Sequence, residues 1–410
     1  MSKNAETQSK SSVDTPPQPQ LGSIPETLRC LYCEEYSSEN KTSTNTTRNS
    51  SNSSTSTSSS KLSYTCQVTE KPLLFLHHKE QHVLLSVEYA SLTYADALVV
   101  LGKSGGARAY PIIPGSDFVG RIISINKDSN IDSNNREDFH DFHIGDRVIA
   151  HGGELGRAIH GGFSTMCSAP MSTLTRLPDN ITTKHACMLG SAAITAMLAV
   201  IEIEKFHRTV KGKKHVLISG ASGSIGGMAL IMLARLGYTC TALTRDVEGN
   251  RHYLSKLGAS KSLSCTEFLE TCEEDSALAT ETYIGVVDTL GGGFLSKMLP
   301  RMYRSGIAVS CGCVGGDKIN VSLIPFIRRG IRLVGIDSRY LTPKEKYQVW
   351  KRLSHDDTGS IKHLLFQNEN QDKWSDMFST ISLNQVQAAA TKKLNGRCSS
   401  LSVTVDVQAT

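Results

Sequence analysis

One glycine-rich segment is the most informative part of this chain: Ser219-Gly220-Ala221-Ser222-Gly223-Ser224-Ile225-Gly226-Gly227. It follows an apolar run that predicts a strand over His215–Ser219, and it opens a helix predicted over Ile225–Leu236. The spacing Ala221-x-Gly223-x-x-Gly226 is the dinucleotide fingerprint with alanine in the first glycine position. Small residues are needed here because backbone N–H groups must approach a pyrophosphate at the positive end of the helix. The segment therefore predicts a dinucleotide site, with a tight strand–helix turn that binds nothing as the alternative.

The end of the next predicted strand, Tyr238–Leu243, bears on which dinucleotide the site would take. NAD sites usually place an Asp or Glu there for the ribose hydroxyls, whereas NADP sites offer a cation to the 2′-phosphate. Here Thr244, Arg245 and Asp246 follow the strand. Thr244 can donate a hydrogen bond and Arg245 can pair bidentately with a phosphate. Asp246 either holds Arg245 in place or caps the next helix, and the set favours NADPH.

Strands and helices alternate through this half of the chain. Further apolar strands are predicted over Tyr283–Asp288, Gly306–Ser310 and Ile331–Ile336. A helix is predicted between them and the fingerprint, over Arg251–Leu257. Near-continuous apolar strands that alternate with helices are typical of a parallel sheet covered on both faces. We therefore predict an α/β fold with a Rossmann doubly wound parallel sheet, and a final strand over Ser400–Val407 that returns to an earlier domain.

The composition excludes several classes of protein. A length of 410 residues is typical of two or three folded units. Hydrophobic residues make up 39% and charged residues 20%, which is enough apolar material for a core. The net charge of +5 suits a ligand with several phosphates but is too dilute to indicate a nucleic-acid-binding surface. No stretch approaches the roughly 18 consecutive apolar residues of a membrane-spanning helix, so no membrane association is expected.

The cysteines and the N-terminus favour a reducing compartment. Eleven cysteines, an odd number spread over a long chain, do not show the pattern of a disulfide framework. The N-terminus has no apolar h-region and mixes Lys3 and Lys10 with Glu6 and Asp14, so neither a secretory nor a mitochondrial signal is predicted. A cytoplasmic location is the expectation.

Three polar segments are predicted to lie outside the folded core. Residues 1–27 form a polar, proline-containing tail that we expect to be disordered. Residues 37–60 are almost entirely Ser, Thr and Asn, which cannot bury apolar surface, so they predict a mobile loop. The strands on either side of that loop are predicted over Leu28–Glu35 and Lys61–Val68. Lys127–Asp141 is a second polar insert.

A serine hydrolase is the rival interpretation of a strand–turn–helix that contains a serine. The nucleophile elbow requires glycine at the second position after the serine. Ser224 occupies that position after Ser222, so the pattern fails.

Metal binding is also poorly supported. Alternation along a strand would throw Cys30 and Cys33 to opposite faces, and Cys311-x-Cys313 is too short for a zinc knuckle. Five histidines lie in polar segments without partners at ligand spacing: His77, His78, His82, His140 and His143. We therefore expect no bound metal.

Several motifs follow one another in an order that is more specific than any of them alone. They are Val87–Leu98, Ile113–Gly120, Gly161–Phe163, Leu189–Leu198, the glycine fingerprint, Tyr253–Lys261, Pro325–Ser338 and Asn395–Arg397. From about Leu28 to the C-terminus, the chain resembles the zinc-free medium-chain dehydrogenases/reductases. The resemblance is greatest to the bacterial acryloyl-CoA reductase (NADPH) subgroup, which is often described as quinone-oxidoreductase-like.

This resemblance implies a domain organisation. Residues 28–195 would form a partly open, GroES-like β-barrel substrate domain, residues 196–344 the Rossmann domain, and residues 345–410 a return to the substrate domain. The active site would lie in the cleft between the domains. Zinc-dependent relatives carry a His-Glu pair where this chain has Ser116-Asp117, in agreement with the absence of metal-ligand spacing. Zinc-free relatives are often dimers, so a homodimer is possible.

The resemblance also implies a reaction. Related enzymes transfer a hydride from NADPH to the β-carbon of an α,β-unsaturated thioester or ketone, and fixed donors stabilise the resulting enolate oxygen. The implied small-molecule substrate is acryloyl-CoA or a similar short acyl-CoA. A quinone or alkenal reductase is one alternative. A non-catalytic NADPH-binding protein is another, suggested by the long inserts and by Thr93, where most relatives have Asn.

The site residues follow from the same resemblance. Tyr94 would be the catalytic residue, donating a hydrogen bond or a proton to the enolate; a packed aromatic residue is the alternative. Lys261 would lie near the adenosine phosphates, and Asn395 would reach in from the C-terminal return; a solvated lysine and a helix cap are the alternatives. The full cofactor set is Tyr94, Ser222, Gly223, Ser224, Ile225, Gly226, Thr244, Arg245, Lys261, Ser338 and Asn395.

Overall fold

The computed structural model describes residues 24–37, 62–77, 79–126, 142–207, 214–272, 277–355, 361–366, 375–396 and 400–409. Most of the predicted tail, almost all of the predicted loop 37–60 and the whole of the insert Lys127–Asp141 lie outside these residues. So do His78, His140 and Arg397.

The first part of the structure is built on antiparallel strands. A hairpin is formed by β1 (Thr27–Ser37) and β2 (Leu62–Pro72). A seven-stranded sheet contains β3 (His82–Ser91), β4 (Asp117–Asn126), β5 (Arg147–His151), β6 (Met166–Pro170), β7 (Leu174–Arg176), β14 (Phe378–Ser382) and β15 (Ser402–Asp406). The predicted C-terminal strand is therefore β15, which pairs with β3 and joins the chain's end to this sheet.

The second sheet has six strands, all parallel. They are β8 (His215–Ile218), β9 (Thr239–Thr244), β10 (Lys261–Ser264), β11 (Tyr283–Asp288), β12 (Met302–Ser310) and β13 (Arg332–Gly335), in the spatial order β10-β9-β8-β11-β12-β13. This arrangement confirms the predicted α/β fold with a doubly wound parallel sheet. Because the strands are parallel, their carboxyl ends meet at one edge, where ligands bind in such sheets.

Ten helices pack on the two sheets in the part of the chain that is described. They are α1 (Tyr94–Val100), α2 (Thr183–His207), α3 (Ser224–Arg235), α4 (Val247–Leu257), α5 (Cys265–Glu270), α6 (Gly292–Met298), α7 (Ile324–Arg329), α8 (Pro343–Ser354), α9 (Ile361–Phe366) and α10 (Val386–Leu394). Helix α3 is almost wholly apolar because it is buried from Gly226 to Leu233.

The β1–β2 hairpin contains a disulfide between Cys33 and Cys66. The two residues lie directly opposite each other in the strand register, with their Cα atoms 4.1 Å apart. This pair was not predicted from the sequence. Their pairing depends on the register of two strands 33 residues apart, which the spacing of cysteines does not reveal. The other cysteines among the described residues are free.

Helix α2 connects the two sheets. It packs against β3 and β4 of the first sheet and against α3 and β12 of the second unit. By length and composition it could also cross a membrane, but most of its surface is buried inside the protein, as in the core helix of a soluble fold. The domain boundary predicted at residue 195 falls inside this helix.

Candidate active site

The fingerprint forms the turn between β8 and α3. Gly223 is the N-cap residue of α3 and provides no side-chain cap, so the first amides of this helix receive no acceptor from a cap side chain. A Cβ on Gly226 would overlap the carbonyl oxygen of Gly220, which means that the helix packs against the turn more closely than any larger residue allows. Such a cradle fits the diphosphate of a dinucleotide. Ser222, Ser224 and Ile225 are half-buried around it.

A buried carboxylate holds this turn against the neighbouring strand. Asp288, at the end of β11, is fully buried and accepts a hydrogen bond of 2.8 Å from the Ser219 hydroxyl. It also accepts from the backbone N–H groups of Leu290 and Gly291. The sequence analysis did not identify Asp288. An Asp that ends a strand at the same edge as the fingerprint is the signal that could have found it.

The residues predicted to select the cofactor lie at this same edge. Thr244 ends β9, is buried, and its hydroxyl lies 3.0 Å from that of Ser222. Asp246 caps α4 by accepting from the Gly249 N–H, so the helix-capping alternative is the correct one. Arg245 is exposed and forms no hydrogen bond or ion pair with any described residue. Its guanidinium group is therefore available to a ligand.

The guanidinium group of Arg245 lies against the C-terminal return. A Cβ on Gly396 would be 2.9 Å from its Nη2 atom. Asn395, which precedes that glycine, is the exposed C-cap residue of α10. The structure therefore brings the C-terminal segment that contains Asn395 close to Arg245. Asn395 also has the helix-capping position that was the alternative for it.

Lys261 lies in different surroundings from those that the resemblance implies, whereas the role of Ser338 stays a prediction. Lys261 is the first residue of β10 and pairs with Thr241, whereas Ser264 at the other end of the strand pairs with Thr244. The structure thus places Lys261 towards the amino ends of the strands, away from the ligand-binding edge. Ser338 follows the carboxyl end of β13 by three residues, and its hydroxyl lies 2.8 Å from that of Thr195 in α2.

Tyr94 is the first residue of α1 and is exposed over 44% of its surface. Thr93 is the N-cap of this helix: its hydroxyl accepts from the Asp96 N–H, while the Asp96 carboxylate accepts from the Thr93 N–H. Thr93, the residue that departs from the family pattern, therefore fixes the start of the helix that carries Tyr94.

Asp96 connects this helix to the segment before β4. It is fully buried, and its Oδ1 atom accepts from the backbone N–H groups of Gly115 and Ser116 at 3.3 and 2.9 Å. Its Oδ2 atom accepts from the hydroxyls of Thr93 and Ser116 at 2.5 and 3.2 Å. Asp96 therefore fixes Tyr94 relative to the strand that follows. The capping spacing Thr93-x-x-Asp96 is the sequence signal that could have identified it.

Asp117 plays a similar role for α2. This helix is interrupted at Gly190, where φ is 51° and ψ is −160°. Asp117 caps the second half, accepting from the Ser191 N–H at 2.6 Å, and a Cβ on Gly190 would lie 2.5 Å from the same carboxylate. Burial raises the pKa of Asp117 to about 7, and the charge of Asp96 adds to this effect. Ser116 and Asp117 thus form hydrogen bonds that join the start of β4 to helices α1 and α2.

The described residues contain no group of three or more His, Cys, Asp or Glu side chains that could hold a metal ion. The Tyr94 phenol, which is exposed, is a hydrogen-bond donor near the start of α1.

Comparisons with known proteins agree with this geometry. Residues 79–179 match the family model of the alcohol dehydrogenase GroES-like domain. The chain is 33% identical to the acrylyl-CoA reductase AcuI of Ruegeria pomeroyi over 67% of its own length and 78% of the relative's. It is 36% identical to the putative quinone oxidoreductase YhfP of Bacillus subtilis, with the same coverage of both chains.

Solved structures give the same result. The yhdH oxidoreductase of Salmonella enterica in complex with NADP superposes with a TM-score of 0.71 and 28% identity, covering 84% of this chain and 96% of that one. Bacillus subtilis yhfP with NAD bound superposes with a TM-score of 0.72 and 30% identity, covering 93% and 99%. The chain is an oxidoreductase that belongs to the medium-chain dehydrogenase/reductase family, in the branch of the acrylyl-CoA reductases and YhfP-like quinone oxidoreductases.

Proposed function

We propose that this oxidoreductase uses NADPH to reduce the β-carbon of an α,β-unsaturated acyl-CoA such as acryloyl-CoA. The observation that carries the proposal is the position of Arg245. This guanidinium group lies just beyond the fingerprint strand, has no carboxylate partner among the described residues, and faces Gly396. A dinucleotide with a 2′-phosphate gives it a charge-assisted partner, and one without that phosphate does not.

The residues at the edge of the parallel sheet would hold the cofactor. The first amides of α3 would bind the diphosphate, and Thr244 and Arg245 the adenosine ribose and its phosphate. NADPH, when bound, supplies the hydride for the reaction. The chain itself must then stabilise the negative charge on the substrate oxygen and provide a proton for the α-carbon.

Tyr94 is the side chain that we propose for this task. Its phenol can donate a hydrogen bond to the developing enolate oxygen, or pass on a proton directly or through water. The capping box of Thr93 and Asp96 fixes its backbone, so the donor is positioned before the substrate arrives.

Replacing Tyr94 by phenylalanine is expected to lower kcat by about 10- to 100-fold, because the ring remains while the donor is lost. The Kd for NADPH should hardly change. Steady-state kinetics and fluorescence titration measure the two quantities. An unchanged kcat would show that the Tyr94 hydroxyl takes no part in the reaction.

The second candidate is a quinone or alkenal reductase. It is favoured by the 36% identity to a protein named as a putative quinone oxidoreductase. The two candidates differ in the acceptor, since only the thioester carries the phosphates of CoA. NADPH oxidation should therefore be measured with acryloyl-CoA and with a simple quinone under identical conditions. We expect a higher kcat/KM for acryloyl-CoA; a value no higher than that for the quinone would reject the first candidate.

The domain boundaries, the location and the oligomeric state of the protein are proposed as follows. We propose that residues 28–195 and 345–410 form the substrate domain and that residues 196–344 form the nucleotide-binding domain. We also propose a cytoplasmic location. A homodimer is supported by the edge strand β13, and by Leu323 and Ile327 of the preceding helix α7 and its N-cap, which are apolar and exposed. Sedimentation at the mass of one chain would reject the dimer.

A further inference from the structure

The last helix of the chain, α10, extends from the first unit to the second. Its buried residues Val386 and Ala390 belong to the core around the seven-stranded sheet. Near its start, Gln387 donates a hydrogen bond of 2.8 Å to the Cys66 carbonyl of the hairpin. Its other end reaches the fingerprint, so α10 is anchored in one unit while its last turn lies on the other.

Two lysines occupy this last turn, and they differ in position. Lys393 is half-buried, and its Nζ atom donates to the Ser224 hydroxyl at 3.4 Å. Lys392, its neighbour, is exposed. Ser224 is the first residue of α3, directly after the N-cap Gly223. The Lys393 ammonium group thus lies beside the helix terminus at which the diphosphate would bind.

The Lys393 ammonium group and the start of α3 together favour a bound anion at this position. The N-terminus of a helix carries positive partial charge, so a neighbouring ammonium group is disfavoured there. An anion bound between the two would interact favourably with both. The fingerprint that opens α3 is the sequence context in which a dinucleotide places its diphosphate.

The same turn also reaches the other cation of the site. Gly396 follows Lys393 by three residues and lies against the Arg245 guanidinium group. One end of α10 therefore spans from the start of α3, where the diphosphate would lie, to Arg245, where the 2′-phosphate would lie.

We propose that Lys393 binds the diphosphate that NADPH and NADH share, whereas Arg245 binds the 2′-phosphate that only NADPH carries. The inference rests on the proposed function, because it assigns a further ligand to that cofactor site. It also means that the first unit contributes a charged group to a site built on the second. Binding of the cofactor would then strengthen the contact between the two units.

Direct binding measurements test this division of roles. We would compare the full-length protein with Lys393→Met, with Lys393→Arg, and with Lys392→Met as the matched control. The ligands are NADPH, NADH, ADP-ribose and 2′-AMP, measured by calorimetry over a series of salt concentrations. Thermal unfolding without ligand shows whether each variant is folded.

Lys393→Met should raise the Kd for NADPH, NADH and ADP-ribose by the same factor of about ten, because each contains the diphosphate. The Kd for 2′-AMP should not change. The salt dependence of NADPH binding should become weaker in this variant. Lys393→Arg should restore most of the affinity, and Lys392→Met should behave like the unmodified protein.

Other outcomes overturn the inference. If Lys393→Met weakened the binding of NADPH and 2′-AMP only, Lys393 would be assigned to the 2′-phosphate. If the Kd of every ligand were the same in Lys393→Met as in the unmodified protein, Lys393 would not belong to the site. In both cases the unmodified protein still binds NADPH, so the proposed function stands. An unmodified protein that binds neither NADPH nor NADH would reject the proposed function, and the inference with it.

Discussion

Replacing Arg245 by alanine should raise the Kd for NADPH by about 50-fold, or roughly 2.3 kcal/mol, while the Kd for NADH changes little. The guanidinium group has no partner among the described residues, so removing it leaves no protein group unpaired and should not affect folding. What is lost is a charge-assisted contact with a phosphate that NADH does not carry. Calorimetry with both cofactors measures the effect, and KM values for both should follow it.

Arg245→Lys is the matched control for this prediction. It keeps the charge but loses the planar fork that pairs with two phosphate oxygens, so it should retain an intermediate preference for NADPH. Equal losses for NADPH and NADH in Arg245→Ala would contradict the assignment, since Arg245 would then contact a group that both cofactors share. The comparison of NADPH with NADH is informative because a solved relative, yhfP of Bacillus subtilis, has NAD bound.

Replacing Asp96 by alanine should lower the free energy of unfolding by about 3 kcal/mol. Asp96 is fully buried and accepts from the backbone of Thr93, Gly115 and Ser116, so its removal leaves one buried and two half-buried N–H groups without this acceptor. The helix that begins at Tyr94 also loses half of its capping box. Urea unfolding measures the loss, and kcat should fall as well because Tyr94 is less precisely placed.

Asp96→Asn provides the control. It has the same shape and keeps one acceptor oxygen, so about half of the effect of alanine on the free energy of unfolding is expected. Glu345→Ala, in an exposed capping box at the start of α8, should cost no more than about 1 kcal/mol. If Asp96→Ala were as mild as that, Asp96 would be only a local helix cap.

The parallel sheet and its ligand-binding edge could be predicted because their signals are local. The apolar runs each lie within one strand or helix, and the spacing from Ala221 to Gly226 lies within one turn and the start of the helix that follows it. Contacts between elements could not be predicted in this way. The position of Lys261 depends on which residue of β9 it pairs with, and Cys33 meets Cys66 through the register of two distant strands.

The chemistry of the site could be predicted only in part, for a related reason. Arg245 could be proposed as a cofactor ligand because it follows a strand whose place in the fold is known from the fingerprint, and its role stays a prediction. Whether Asp246 restrained it depended on the start of α4, which the structure shows. Asp96 was missed because its partners, Gly115 and Ser116, lie about twenty residues away and carry no charge.

The interruption of α2 at Gly190 has a consequence for engineering this molecule. The second half of that helix packs with the nucleotide-binding unit, yet its first amide is capped by Asp117 from the antiparallel sheet. A transplanted or separately expressed nucleotide-binding unit would carry an uncapped helix and an exposed apolar face. The two halves of the chain are therefore not interchangeable modules, and chimaeras with other dehydrogenases should exchange α2 together with the strand that begins at Asp117.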